Sequence, residues 1–345
     1  MPILPALILS PINRGRFFRF LSKKLTKYPI IIHMETTTLS SLLSDFRANI
    51  ESILLGKREV VDLAMASFLA GGHILLEDVP GTGKTTLAKA LSAGISGTFR
   101  RVQFTGDLLP QDIIGMHILA EDRKSFVFSP GPLFANIVLA DEINRGNPRS
   151  QSALLEAMSE RQVTVDNRTY QLPDPFLVIA TQNPYEQHGT YQLPESQLDR
   201  FNMRLRIDYP DRDSENRLIR ENSILTIRNG IASSLLPAQI IALREEVSRV
   251  TVHDSLIDYI QRIASATRVH PALRLGISPR CAIGLKNTAQ ALARIEDRDH
   301  VIPGDIRRAA PAVLCHRMFP KGASANTDAA RSIIEEILST VTAPL

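Results

Sequence analysis

Cysteine is scarce in this chain: Cys281 and Cys315 are the only two among 345 residues. Two thiols so placed offer neither a disulfide framework nor metal-ligand spacing, and a reducing, cytoplasmic setting fits them best. The eight histidines are scattered, and no pair has the i, i+4 spacing that would put a zinc site on one helix face. No apolar run reaches the roughly 18 residues a spanning helix needs, so no transmembrane segment is expected. The chain also lacks a basic surplus over most of its length. Its formal net charge is +4, but residues 1–33 carry Arg14, Arg16, Arg19, Lys23, Lys24 and Lys27 with no acidic residue. Removing those six positive charges leaves −2 from Met34 onward. That argues against a broad basic face on the folded body, and no specific nucleic-acid partner is expected.

The first 38 residues read as an extension. Its apolar start, Pro2 to Ser10, precedes its positive charges, which reverses the order of a secretory signal. A basic membrane-surface segment, a disordered arm and translated upstream sequence with the true start at Met34 compete here, and the last is favoured. The body of the protein is globular in composition, the whole chain being 44% hydrophobic and 22% charged. A boundary at Tyr209-Pro210 divides it into an α/β core over 39–209 and a helical unit over 210–345.

The stretch from His73 to Ala88 reads as a short apolar strand, a glycine turn and a helix start. Gly81 and Gly83 let the backbone approach a phosphate chain, and the N–H groups opening the helix point at anionic oxygens. Lys84 adds a charge for the β and γ phosphates, and the Thr85 hydroxyl is placed to bind Mg²⁺. The spacing Gly-x4-Gly-Lys-[Ser/Thr] is incomplete, because Asp78 holds the first glycine position.

Asn136 to Ala140 is a continuous apolar run, as in a fully buried parallel strand, and it ends in Asp141-Glu142. That puts an acidic pair at the carboxyl edge of the sheet, where α/β folds bind ligands. Asp141 can hold Mg²⁺ through water, and Glu142 can orient and polarise an attacking water. Together the loop and the acidic pair point to a nucleoside-triphosphatase. A third buried strand, Phe176 to Thr181, brings Asn183 between the two motifs, where it either touches the γ-phosphate or starts a turn before Pro184. Arg200 follows a short amphipathic helix; it either pairs with Asp199 or Glu195 or reaches a nucleotide held by a neighbouring copy. Gly115 to Phe128 and Val163 to Leu172 read as hairpins, the latter turning at Asp166-Asn167.

From Asp213 onward the periodicity is all helical. Ser278-Pro279-Arg280 opens one of these helices with Ser as N-cap and Pro at the first position. Arg280 gains nothing from the helix dipole there, so its placement suggests an anionic partner, which an acidic neighbour or a nucleotide could supply.

With these motifs the chain resembles the MoxR-type AAA+ ATPases, from about Leu39 to its end. The blocks that carry the resemblance are Glu77-Asp-Val-Pro-Gly-Thr-Gly-Lys-Thr85, Gln103-Phe-Thr-Gly-Asp-Leu-Leu-Pro110, Ala140-Asp-Glu-Ile-Asn-Arg145 and Gly189-Thr-Tyr-Gln-Leu-Pro-Glu195. An acidic pair before Val-Pro-Gly is usual in that family. The resemblance implies a five-stranded parallel P-loop sheet sandwiched by helices and followed by a smaller all-helical lid. It implies ATP and Mg²⁺ as cofactors, and the absence of an Asn-Lys-x-Asp guanine signature agrees with ATP. Pro80, Gly81, Thr82, Gly83, Lys84, Thr85 and Thr86 would hold the nucleotide, with Gly56 near the adenine. Thr85 and Asp141 would hold the metal, Glu142 would serve catalysis, Asn183 would be sensor 1, Arg200 the arginine finger and Arg280 sensor 2. The family carries Gly-Gln where this chain has Gly56-Lys57. Residues 115–128 match the helix-2 insert, a working surface for partners. The resemblance further implies a homo-oligomer, in the form of a hexameric ring, and chaperone-like remodelling of partner proteins containing a von Willebrand A domain. A DNA-processing motor and a nucleotide-dependent assembly switch are the alternatives. The −2 charge of the body weighs against the first and the intact Asp141-Glu142 pair against the second.

Overall fold

The computed structural model describes residues 36–77, 82–122, 125–183, 190–221, 235–322 and 327–344. The expectations for the first 35 residues, Pro80 and Gly81 lie outside the described residues.

Helix α1 (Thr36–Ile53) carries Leu39, Leu43, Phe46 and Ile50 at helical spacing, and all four are buried. A turn at Gly56 leads to α2 (Arg58–Leu69), in which every residue from Val61 to Leu69 is buried, Asp62 and Ser67 included. A helix this enclosed has neighbours on all sides. Strand β1 (Ile74–Glu77) comes next, then α3 (Lys84–Gly94) and β2 (Phe99–Gln103). A short α4 (Pro110–Ile114) opens into the antiparallel hairpin of β3 (Gly115–Leu119) and β4 (Phe126–Pro130).

Strand β5 (Ile137–Asp141) leads through a single 3₁₀ turn to α5 (Pro148–Glu160). The expected second hairpin is β6 (Gln162–Val165) with β7 (Arg168–Gln171). Its turn residues Asp166 and Asn167 both have positive φ, 49° and 63°, as a type I′ turn requires. The two hairpins pack on each other: His117 Nδ1 lies 2.8 Å from the Asp166 carboxylate, and the Phe128 and Tyr170 rings stack at 3.9 Å. Strand β8 (Leu177–Gln182), helix α6 (Glu195–Leu198) and strand β9 (Met203–Leu205) complete the core.

The main sheet has the order β2-β5-β8-β1-β9 and every pair in it is parallel. Its period-2 alternation divides the core into two clusters. Leu75, Val138, Ala140, Val178 and Ala180 meet Leu154, Leu155 and Met158 of α5 on one face. Ile74, Leu76, Leu139, Ile179 and Met203 meet α1, α2 and α3 on the other.

The lid comprises α7 (Arg212–Glu221), α8 (Pro237–Arg249), α9 (Asp254–Val269), α10 (Pro279–Ile295), α11 (Pro303–Leu314) and α12 (Thr327–Thr340). One feature departs from the helical periodicity. Strand β10 (Leu273–Leu275) pairs with β11 (Phe319–Pro320), segments of three and two residues that are too short to show a period. The lid shares the second core cluster, because α10 packs along α2. Two sets of contacts fix its direction. At its C-terminal side, Arg308 of α11 donates to the buried Asp62 (2.5 Å) and to Glu59 (2.7 Å), while Arg47 of α1 donates to the same Asp62 oxygen (2.5 Å) and to Glu296 (3.2 Å). Further toward its start, the Thr288 hydroxyl accepts from Asn202, whose own N–H donates to the His73 carbonyl before β1. Helix α10 therefore begins at the amino edge of the sheet and runs toward its carboxyl edge. Among the described residues, no helix is long and apolar enough to cross a membrane.

Two buried histidines tie this framework together. His73 accepts from the Val178 N–H through Nδ1 (3.0 Å) and donates through Nε2 to the Met158 carbonyl (3.1 Å). His316 donates to the Phe201 carbonyl (3.0 Å). Burial lowers the His73 pKa to about 4 and that of His316 well below its ordinary value, so both are neutral in the fold. The unfolded chain takes up these protons near pH 6.5, so folding is penalised progressively as pH falls below that value. His73 should cost about 2 kcal/mol between pH 7.5 and 5, and His316 should add a loss of the same sign. Denaturant unfolding at pH 7.5 and pH 5 should show the loss, and equal stability at the two values would contradict neutral burial.

Candidate nucleotide site

The parallel register collects the sequence motifs at one edge. Gln103 pairs with Asp141, and Glu77 pairs with Gln182, so the last residues of β2, β5, β8 and β1 form one row. Gly83 has φ +99°, a conformation that favours glycine, and its carbonyl accepts the first helical bond of α3 from Leu87 N–H (2.9 Å). Lys84, Thr85 and Thr86 form the half-buried first turn, beside the buried Thr82. The Lys84 half of the candidate site is thus a helix N-terminus at the carboxyl edge, a geometry suited to an anion.

The other half depends on the α1–α2 turn. Gly56 has φ +70°, and a Cβ there would lie 2.5 Å from Asp211 Oδ2 and 2.6 Å from Ser214 Oγ. Lys57 Nζ donates to the Tyr209 carbonyl (2.7 Å). The side chain that replaces the family's Gln therefore anchors the linker leading to α7. Leu54, just before this turn, lies 3.7 Å from the Cβ position of Gly83. The Gly56 turn, the linker and the phosphate loop consequently converge.

Asp141 and Glu142 are organised by Thr181, a residue that no sequence motif singles out. Its hydroxyl donates to Asp141 Oδ1 (2.5 Å) and accepts from the Glu142 N–H (2.8 Å). Glu142 has φ +54°, a left-handed conformation that costs a non-glycine residue on the order of 1 kcal/mol. The Thr181 bond and the Arg145 N–H to Glu142 carbonyl bond (2.9 Å) hold it there. The remaining Asp141 oxygen accepts from Arg101 Nη2 (2.6 Å) and Nε (3.2 Å). Glu142 Oε2 accepts from Gln103 Nε2 (2.8 Å) and Arg145 Nη1 (3.1 Å). Asn183 directly succeeds β8, between the Asp141 strand and the phosphate-loop strand, as expected.

A divalent cation fits this donor set. Thr85 and Asp141 offer hard oxygen atoms, and Asp141 already holds a cation, the guanidinium of Arg101. Mg²⁺ is ordinarily held by one or two carboxylates, water and phosphate oxygens, so no dedicated cage is needed. Accordingly, the described residues contain no group of three His, Cys, Asp or Glu poised to hold a metal.

Arg200 and Arg280 are not brought to this edge. Arg200 donates to the Leu155 carbonyl (3.3 Å) and the Ser159 hydroxyl in the second half of α5. The acidic partners open to it are engaged elsewhere, Glu195 by Arg274 and Asp199 by Arg317. Arg280 lies on the first turn of α10, which Ser278 caps by accepting from the Cys281 N–H (3.2 Å). It is exposed and has no hydrogen-bond or ion-pair partner among the described residues. Its neighbour Cys281 donates to the Val313 carbonyl, and Arg317, just beyond α11, donates to the Phe201 carbonyl (2.7 Å). Arg280 therefore stands with Arg200 at the amino edge, and closure of the lid over the chain's own nucleotide through Arg280 does not fit this arrangement.

The chain matches a family described as "ATPase family associated with various cellular activities (AAA)" over residues 73–203 and an "AAA lid domain" over residues 265–337. It is 47% identical over 313 residues to "Uncharacterized protein YeaC" of Bacillus subtilis, covering 89% of this chain and 96% of that protein. It is 38% identical over 305 residues to "Chaperone MoxR1" of Mycobacterium tuberculosis, covering 86% and 80% respectively. A solved structure from Cytophaga hutchinsonii superposes with a TM-score of 0.81 at 35% identity, covering 96% of this chain and all of the other.

Thr181→Val keeps the shape of the side chain but removes the hydroxyl that joins Asp141 to Glu142. Leaving those groups without a partner should cost about 1–3 kcal/mol. Unfolding in urea reads that loss, and a variant as stable as the parent would show that the bridge holds nothing.

Proposed function

The chain belongs to the MoxR family of AAA+ ATPases, and from that premise we propose that it hydrolyses ATP to ADP and phosphate with Mg²⁺, as a ring-forming remodelling factor for partner proteins. The observation that carries this reading is the Asp141-Glu142 pair, oriented by Thr181 at the sheet edge where Lys84 opens α3. Lys84 neutralises the β and γ phosphates, and Asn183 contacts the γ-phosphate or the water beside it. Thr85 and Asp141 would hold the metal, which would supply positive charge against the developing charge of the phosphates. Glu142 orients the water and accepts its proton. The Gly56 turn, closed against the Tyr209–Ser214 linker, forms one wall of the proposed adenine site.

Arg200 and Arg280 act on the nucleotide of the adjacent subunit. Their common position at the amino edge supports this, because a head-to-tail ring contact joins two different faces, and the contact proposed sets one copy's amino edge against the next copy's carboxyl edge. A hexamer is the ring proposed. An arginine finger is worth about 10³–10⁵ in rate in related phosphate chemistry, so turnover depends on assembly. Loss of the γ-phosphate would release these arginines and move one subunit's lid relative to its neighbour.

The β3–β4 hairpin is the partner-facing surface, since Ile118, Leu119, Phe126 and Val127 are exposed together on paired positions. A protein with a von Willebrand A domain is the partner class proposed, and the name of the relative Chaperone MoxR1 agrees with a chaperone-like role. A reducing cytoplasmic setting is proposed for the reaction.

Glu142→Gln should bind ATP with affinity close to the parent and lose turnover by about 10² or more, the scale of general-base catalysis. Equilibrium nucleotide binding and steady-state phosphate release measure the two effects. Undiminished hydrolysis by this variant would reject the role given to Glu142.

A further inference from the structure

Strand β2 lies at the edge of the sheet beside β5, and its outward residues Arg101 and Gln103 occupy alternate positions on one side of the strand. Each takes one of the two site carboxylates. Arg101 donates to Asp141 Oδ2 through Nη2 (2.6 Å) and Nε (3.2 Å), while Gln103 Nε2 donates to Glu142 Oε2 (2.8 Å). The two are also joined, because Arg101 Nη2 donates to Gln103 Oε1 (3.2 Å). One chain of hydrogen bonds therefore runs from the metal-ligand carboxylate through Arg101 and Gln103 to the carboxylate that faces the water.

We infer that Arg101 is a positioning residue which occupies the Asp141 carboxylate until a divalent cation displaces it, and which passes that displacement through Gln103 to Glu142. The inference rests on the ATPase reading of this site. Asp141 Oδ1 is filled by the Thr181 hydroxyl, so the guanidinium and an arriving cation compete for Oδ2. Two cations on one oxygen repel each other. The Asp141 side chain is 13% exposed, whereas that of Arg101 is 51% exposed and can return to solvent. Once Arg101 leaves, the Gln103 amide loses the donor on its carbonyl oxygen and holds Glu142 less tightly. Metal arrival thereby loosens one of the two donors on Glu142 Oε2, while Arg145 Nη1 keeps the other.

The test is a Mg²⁺ titration of the full-length chain with a fluorescent methylanthraniloyl ATP, accompanied by a nucleotide titration in EDTA. Arg101→Met should lower the Mg²⁺ midpoint by roughly three- to tenfold, the range of a charge-assisted bond that is partly solvent-exposed. Nucleotide affinity in EDTA should stay within about twofold of the parent, and Arg101→Lys should return the midpoint most of the way. A midpoint that is unchanged or raised in Arg101→Met overturns the inference. Gln103→Leu tests the relay: it should lower the midpoint about twofold in the parent and leave it unchanged in the Arg101→Met background. Equal effects in the two backgrounds overturn the coupling. A parent chain that binds no nucleotide in either titration defeats the ATPase reading itself, whereas nucleotide binding with unmoved midpoints defeats only the role of Arg101.

Discussion

Asp62 fixes the relation between the two halves of this molecule. It is fully buried on α2, and one of its oxygens accepts from Arg47 of the core and Arg308 of the lid, both at 2.5 Å. A buried carboxylate requires such partners, since removing one side of a buried ion pair costs about 3–5 kcal/mol. Glu59 and Glu296 extend the contact at the same end of α10. With that end held near the carboxyl edge and Thr288 held to Asn202 near the amino edge, α10 has one direction available. Arg280, eight residues before Thr288, lies about 12 Å further along the helix axis. The docking of the lid thus separates Arg280 from Lys84 and leaves it toward the amino edge, the edge at which Arg200 lies.

The same economy of placement governs the carboxyl edge. Parallel register alone brings Gln103 level with Asp141 and Gln182 level with Glu77, one residue further along. Thr181 then sets the two acidic residues by bonding the side chain of one and the backbone of the other. Glu142 is held in a left-handed conformation, so its carboxylate leaves the strand direction and meets Gln103 and Arg145. Both carboxylates already have partners that a nucleotide and its metal would exchange for their own. The amino edge, by contrast, presents arginines, and the pairing of these edges gives the proposed ring its electrostatic complementarity.

Several of these features were legible in the sequence because they rest on local rules. The apolar run ending at Asp141 predicts a buried strand, Asp166-Asn167 predicts a tight hairpin, and Ser278-Pro279 predicts the start of α10; each is present. Arg101, Gln103 and Thr181 were not legible as site residues. An outward strand position reads as solvated surface until the neighbouring strand is known, and Thr181 belongs to an apolar run. The β10–β11 pair escaped notice because it is held by tertiary contacts and carries no period. Nor could the sequence orient the lid: Ser-Pro-Arg shows that Arg280 opens a helix, while its distance from Lys84 depends on the partners of Asp62. The acidic residues flanking Arg200 suggested local pairing, but Arg274 and Arg317 take them.

The central claim is that Arg280 serves a neighbouring subunit's nucleotide. Mixing Arg280→Ala subunits with Lys84→Ala subunits tests it most directly, since the first retain a complete phosphate loop and the second retain Arg280. Each variant alone should be inactive. Mixed rings, with co-assembly verified by differently sized tags, should recover ATP turnover at interfaces where an intact loop faces an intact Arg280. Mixed rings that assemble but recover no turnover would place Arg280 on its own chain's nucleotide and contradict the account.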